Sequence, residues 1–326
     1  RWAKHDLGIA VGMVGRVREA VEVMEESLRL AEEAEDRNLL MRCYINLPAT
    51  RAQAGADVEA NLALTEQGLR HARRAAAGVT VAWLAGNLMG FCQETGRLEE
   101  ALAYANEALE ASRAYEPSNV RMMLVYRALT HRLRGELDAA LVDEAAAEQL
   151  EPDPDLQVVD GFALGTAFAR WVEEPDLALR GAMETLRTPG LYAGPRLRIS
   201  HEAARMAVRL GDPAALREAV AVHGDASYPG APALGATEQW TIALLEDPDG
   251  ASIRSAARVL AEHGYRMRAA NALADAAFLA ARAGRADGAG EQAQSLYAAM
   301  GMHPLLGSLP ETIWLERARG GSATTA

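Results

Sequence analysis

Apolar residues return at helical spacing along almost the whole chain, and glycine-marked breaks divide that pattern into pairs of segments. Leu7, Gly8 and Val11 lead to Gly15, and Ala20, Met24 and Ser27 follow it. Leu88, Met89 and Cys92 lead to Gly96, with Ala101, Ala105 and Ala108 beyond. A later set has Ala128, Gly135, Ala140 and Ala147, and closes on Pro152. From Gly15 through Gly55 and Gly96 to Gly135 the intervals are 40, 41 and 39 residues, a period typical of repeated helix-turn-helix units. Glu174-Pro175-Asp176, Gly211-Asp212-Pro213, Asp247-Pro248-Asp249-Gly250 and Gly284 mark further turns, so about eight pairs account for nearly all 326 residues. Strand-like alternation is nowhere sustained, and alanine, roughly a fifth of the chain, favours helix. The pattern predicts an all-α protein.

Within each pair, small residues let two helices approach closely, the glycine supplies a tight turn, and a proline stops the second helix. These positions resemble the large, small, glycine and small pattern of the tetratricopeptide repeat. The period near 40, against about 34 for that repeat, and Pro48 at a position where a small residue is expected set the chain apart. The resemblance implies an α-solenoid of about eight pairs wound as a right-handed superhelix, with the first helices lining a concave groove. From Leu7 to Leu315 the chain is also similar to the C-terminal arm of large bacterial signalling ATPases, the LuxR-type and cyclase-linked regulators. The stretch AGRADGAGEQAQSLYAAMGMHPLLGSLPE is the most family-like. That similarity implies a protein-interaction or ligand-sensing arm of a larger cytoplasmic signalling protein, without catalysis of its own. A free-standing scaffold is the alternative reading.

The expected organisation is six helical pairs over 1–223, a Pro/Gly-rich loop at 224–235, two further pairs over 236–317 and a solvated tail at 318–326. The loop reads either as a hinge or as a long connection between units. The first residue is Arg rather than Met, and the expectation is a piece of a longer protein.

Charge narrows the functions available. The chain has one lysine, Lys4, and 32 arginines against 45 Asp and Glu, for a net charge of −12. A Walker A loop, a kinase nucleotide lysine and a pyridoxal Schiff base each need a lysine inside a folded site, so ATP-dependent or pyridoxal chemistry is not expected. An acidic surface does not favour nucleic acid. No apolar stretch is long and uncharged enough to predict a membrane span; the most apolar, Ala269 to Ala283, is broken by Asp275 and Arg282. Cys43 and Cys92 form no C-x-x-C pair and suit a reducing cytoplasm.

The string Gly288-Ala289-Gly290-Glu291-Gln292-Ala293 matches a dinucleotide fingerprint but lacks the strand that fingerprint needs before it, so it reads as a turn and no cofactor is expected. None of the seven histidines has a second three or four residues away, and no metal is expected. Asp247 and Asp249 straddle a proline in a turn and are expected to cap or shape it. A helical-barrel hydrolase would need two opposed carboxylates and aromatic sugar platforms, and is the least favoured reading.

One constellation stands apart. Arg198, His201, Arg205 and Arg209 are spaced 3, 4 and 4 and so form one helical stripe, beside an apolar stripe of Ile199, Ala203, Met206 and Leu210. In a tetratricopeptide-like stack the same phase turns Arg132, Arg170 and Arg282 inward. The expected binding groove therefore comprises Arg132, Arg170, Arg198, His201, Arg205 and Arg209, and its expected occupant is a protein or peptide with an acidic segment, or a small anionic effector. The competing expectation is that these arginines pair with Asp and Glu of neighbouring units.

Overall fold

A computed structural model describes residues 1–151, 174–222, 231–247, 249–285 and 288–302. Among them there are fifteen α-helices and no strand. In the first half these are α1 (Trp2–Met13), α2 (Val17–Glu33), α3 (Arg37–Gln53), α4 (Val58–Arg74), α5 (Gly78–Thr95), α6 (Leu98–Tyr115), α7 (Val120–Leu133) and α8 (Leu137–Glu148). The second half contains α9 (Pro175–Leu186), α10 (Ala193–Leu210), α11 (Pro213–Ala221), α12 (Pro232–Glu246), α13 (Ala251–Glu262), α14 (Arg266–Arg282) and α15 (Ala289–Ala299). No helix of the described residues is long and apolar enough to cross a membrane.

The predicted turns fall between helices. Gly15, Gly55, Gly96, Gly135, Gly211, Gly250 and Gly284 all have φ between +67° and +86°, the left-handed region that only glycine enters without a steric cost. Aspartates start several of the following helices: Asp57 accepts from the Ala60 N–H at 2.9 Å, and Asp212 from those of Ala214 and Ala215 at 3.0 Å. Asp247 accepts from the N–H groups of Asp249 and Ser252, the turn-shaping role its spacing predicts. Gly288 lies at the start of α15 and follows a helix, α14, rather than a strand.

Helices pack chiefly on their neighbours in sequence. Fully buried alanines, among them Ala20, Ala72, Ala101, Ala203, Ala256 and Ala276, let the backbones approach. Pro48 sits inside α3 and is itself buried, at the position occupied by Gly8 in the first pair. Two results differ from expectation. Helix α12 begins at Pro232, inside the predicted 224–235 loop, because proline suits a first helical position, where its missing N–H has no partner to lose; residues 224–230 lie outside the described set. Second, the packing is not confined to neighbours: α1 meets α10, and α5 meets α14.

That second set of contacts forms a seam joining the first pairs to the last. The Tyr265 hydroxyl donates to the Ala56 carbonyl at 2.8 Å, and the Val58 N–H donates to the His263 carbonyl at 3.3 Å. Arg268 of α14 donates from Nε to Glu94 of α5 at 2.8 Å. Gly55 lies so close to α12 that a Cβ there would stand 2.5 Å from the Leu234 backbone nitrogen. One apolar core runs continuously through both halves, from Tyr44 and Leu84 to Trp240, Phe278 and Met302.

Candidate functional site

The stripe on α10 is real, but it is internal. His201, Arg205 and Arg209 are buried, while Arg198, one turn earlier, is exposed. Helices α12 and α14 cover the buried three, so α10, α12 and α14 together enclose a polar cluster in the apolar core. Its hub is Asp275 of α14, only 1% exposed. The Asp275 carboxylate accepts from Arg205 Nε at 2.7 Å, from Arg209 Nε at 3.2 Å and also from Arg209 Nη2, and from Trp240 Nε1 at 3.1 Å. Arg205 also donates from Nη1 to Glu202 at 2.8 Å, and its guanidinium lies 5.0 Å from the centre of the Trp240 ring. Arg209 stacks on Phe278 in the same manner at 5.2 Å. His201 sits edge-on to Trp240, with Nδ1 2.7 Å from the Thr241 hydroxyl, which in turn donates to the Thr237 carbonyl.

The expectation of an open basic groove is therefore corrected at His201, Arg205 and Arg209. The two arginines meet acidic groups of their own chain, and the apolar stripe beside them has drawn the whole helix face into the core. Arg132 behaves likewise: it is buried on α7 and forms a bidentate pair with Glu144 of α8, at 2.6 and 2.9 Å. Arg127 does the same with Asp143 at 2.7 and 2.6 Å. Arg170 lies outside the described residues. Arg132 and the α10 stripe thus occupy separate ion-pair clusters.

The electrostatics of the hub follow from this geometry. Burial alone would raise the Asp275 pKa, but the flanking Arg205 and Arg209 outweigh it and hold the carboxyl below the usual carboxylate range. Glu202 shows the opposite balance: burial pushes its pKa up, with Asp275 adding to the rise, and the pull of Arg205 does not compensate. For Glu202 the sign is clear. A carboxyl whose folded pKa is raised contributes stability below its unfolded value, about 4.3, and that contribution is lost as pH rises through the folded value. Glu202→Gln keeps an acceptor for Arg205 while removing the ionisation. Its Tm is expected to match the parent's at low pH and to gain on it as pH rises above about 4.3; thermal unfolding between pH 4 and 8 checks this.

The cluster is built to hold helices together. Its arginines and Asp275 spend their hydrogen-bonding capacity on each other, which leaves Asp275 poorly suited to take a proton. The thiols are equally quiet: Cys43 and Cys92 are buried, and burial pushes Cys92 up to about 12.

The surface carries a different opening. The C-terminal ends of α10, α12 and α14 frame a cleft of about 480 Å³, walled by Val208, Leu216, Leu244, Leu245 and Leu279 and rimmed by Arg282. Leu245 is 40% exposed. Arg282 is exposed and forms no ion pair among the described residues, whereas the neighbouring Asp212 is committed to capping α11. The spacing places Arg282 on the inward phase but does not single it out, and the apolar walls come from four helices, α10, α11, α12 and α14. No protein-family model and no curated protein matches this chain.

Proposed function

We propose that this chain is a recognition module, a solenoid of tetratricopeptide-like helical pairs wound as a right-handed superhelix, serving as the protein-interaction or ligand-sensing arm of a larger cytoplasmic regulatory protein without catalysis of its own. The cleft at the ends of α10, α12 and α14 supports this reading most directly. Its apolar walls suit a hydrophobic side chain, and the exposed guanidinium of Arg282 suits a carboxylate or other anion beside it. An acidic, partly apolar peptide segment is the occupant of matching chemistry. The buried stripe on α10 then supports the cleft from beneath rather than touching the ligand.

The test is affinity for a captured partner, titrated against Arg282→Glu, Leu245→Glu and, as a remote surface control, Arg18→Glu. Loss of one charge-assisted contact is expected to weaken binding about tenfold or more in the first variant, with the control unchanged. Equal affinity across all three would remove the cleft from the binding site.

A further inference from the structure

Helix α1 carries an apolar stripe that points away from the protein. Ala3, Leu7 and Ala10 of the helix and Val14 at its C-terminal cap, spaced 4, 3 and 4, are all exposed, Leu7 by 52% and Val14 by 70%. The repeat register shows what such a stripe does elsewhere. Shifting α1 by 40 residues, the interval from Gly15 to Gly55, brings Ala3, Leu7 and Ala10 onto Cys43, Leu47 and Thr50 of α3, all buried. A shift of 81, to Gly96, gives Leu84, Leu88, Phe91 and Thr95 of α5, again all buried.

In both later helices this face lies against the preceding pair. Cys43 Sγ is 3.8 Å from Ser27 Oγ of α2, and the Thr50 hydroxyl reaches Met24 of the same helix. Leu84 packs beside Gly68 of α4. In α7 the matching Met123 meets Gly86 of α5, and the matching Thr130 accepts from Gln93 of α5 at 2.8 Å. A polar contact repeats as well. Asn46 of α3 reaches back to His5 of α1 at 3.2 Å, and Asn87 of α5 donates to the Ile45 carbonyl of α3 at 2.9 Å. The residue of α1 in this register is Asp6, with its side chain 63% exposed and, among the described residues, hydrogen-bonded to His5 of its own helix.

We propose that the outer face of α1 is an inter-unit interface of the same kind, and that its occupant is a further helical pair supplied by chain N-terminal to Arg1. In α3 and α5 the copy of the face is covered by the pair before it, and in α7 Met123 and Thr130 meet that pair while Arg127, at the place of Leu7, reaches both Asn106 of α6 and Asp143 of α8, so continuity of the array, rather than apolarity alone, identifies the occupant. That pair has small and apolar residues where α2 presents Met24, Ser27 and Ala31, a donor within reach of Asp6, and a turn glycine about 40 residues before Gly15. This inference stands whether or not the cleft binds an anion.

The experiment compares Leu7→Cys in the 326-residue chain with the same substitution in the chain extended by its encoded N-terminal segment, by rate of thiol alkylation. The position is exposed, so the substitution leaves the fold intact, and Cys43 and Cys92 are buried and slow to react. The introduced thiol is expected to react freely in the shorter chain and to slow by roughly a hundredfold in the extended one, as for a group uncovered only by local opening. Equal rates in the two chains overturn the proposal. So does a gene that encodes no helical pair before Arg1, and so does protection in the shorter chain that grows with protein concentration, which would assign the face to a second copy.

Discussion

Asp275→Asn is expected to lower the melting temperature by roughly 10 °C, on the scale of about 2–4 °C per kcal/mol for chains of moderate size. The asparagine keeps the shape and one oxygen of the native side chain but removes the negative charge that two buried guanidinium groups share. Removing one partner of a buried ion pair costs about 3–5 kcal/mol, because the remaining charge is left without water or counter-charge. Here two arginines lose their shared negative charge, and one of the two oxygens that serve them and the Trp240 N–H becomes an amide donor facing other donors. The same physics predicts a contrast. Replacing the cluster together, as Arg205→Met, Arg209→Met, Asp275→Leu and Glu202→Gln, removes the desolvation cost along with the attraction, and is expected to leave stability near that of the parent. Acid narrows the gap between Asp275→Asn and the parent. A depressed carboxylate contributes stability that is fully present above its unfolded pKa of about 3.9 and lost as pH falls through the folded value. A single variant as stable as the parent at neutral pH would mean that the charges are not what holds α10 to α14.

The other large effect is expected at the seam. Gly55→Ala places a methyl group 2.5 Å from the Leu234 backbone nitrogen and 3.1 Å from the backbone of Ala233. It also forces a side chain into a φ of +70°, which costs about 1–2 kcal/mol before any clash is counted. Backbone cannot rotate out of the way as a side chain can, so α12 and the turn after α3 must part. The expected loss is about 2–4 kcal/mol, in the range of overpacked cores. It should be accompanied by faster hydrogen exchange at the Val58 amide and at the start of α12. Gly284→Ala is the control: its φ is equally positive at +74°, but among the described residues nothing lies within 4 Å of the added Cβ, so only the conformational cost remains. If both variants lose the same stability, the close approach at Gly55 carries no energetic weight.

Much of the fold was legible because its signals are local. A left-handed turn favours glycine, so the turns at Gly15, Gly55, Gly96, Gly135, Gly211, Gly250 and Gly284 could be read one by one, whereas those at Glu35 and Ala76, which turn the same way without a glycine, could not. The α10 stripe was legible in the same way, since spacing alone puts Arg198, His201, Arg205 and Arg209 on one face. What spacing does not contain is the identity of the element that covers a face. Asp275 was visible only as a charge interrupting the most apolar stretch of the chain, and its role as a shared acceptor depends on α14 meeting α10 across 66 to 70 residues. Arg205 and Arg209 consequently carried the features of a groove and sit in a core. The cleft was less legible still, because Leu216, Leu245 and Leu279 follow no common period and converge only in space.

The Tyr265–Ala56 hydrogen bond joins residues 209 positions apart, and that separation bears on how the chain reaches its native state. Helical pairs that touch only their neighbours can nucleate at any point and spread outward, with little entropy spent on closing loops. The seam obeys different kinetics. Bringing together ends about 200 residues apart costs about 4–5 kcal/mol in chain entropy if the segment between is disordered, and far less once the intervening pairs have assembled into a stiff curve. Local pairs are therefore expected to form first and the seam last, so the packing of the pairs between decides whether Tyr265 and Ala56 can find each other at all.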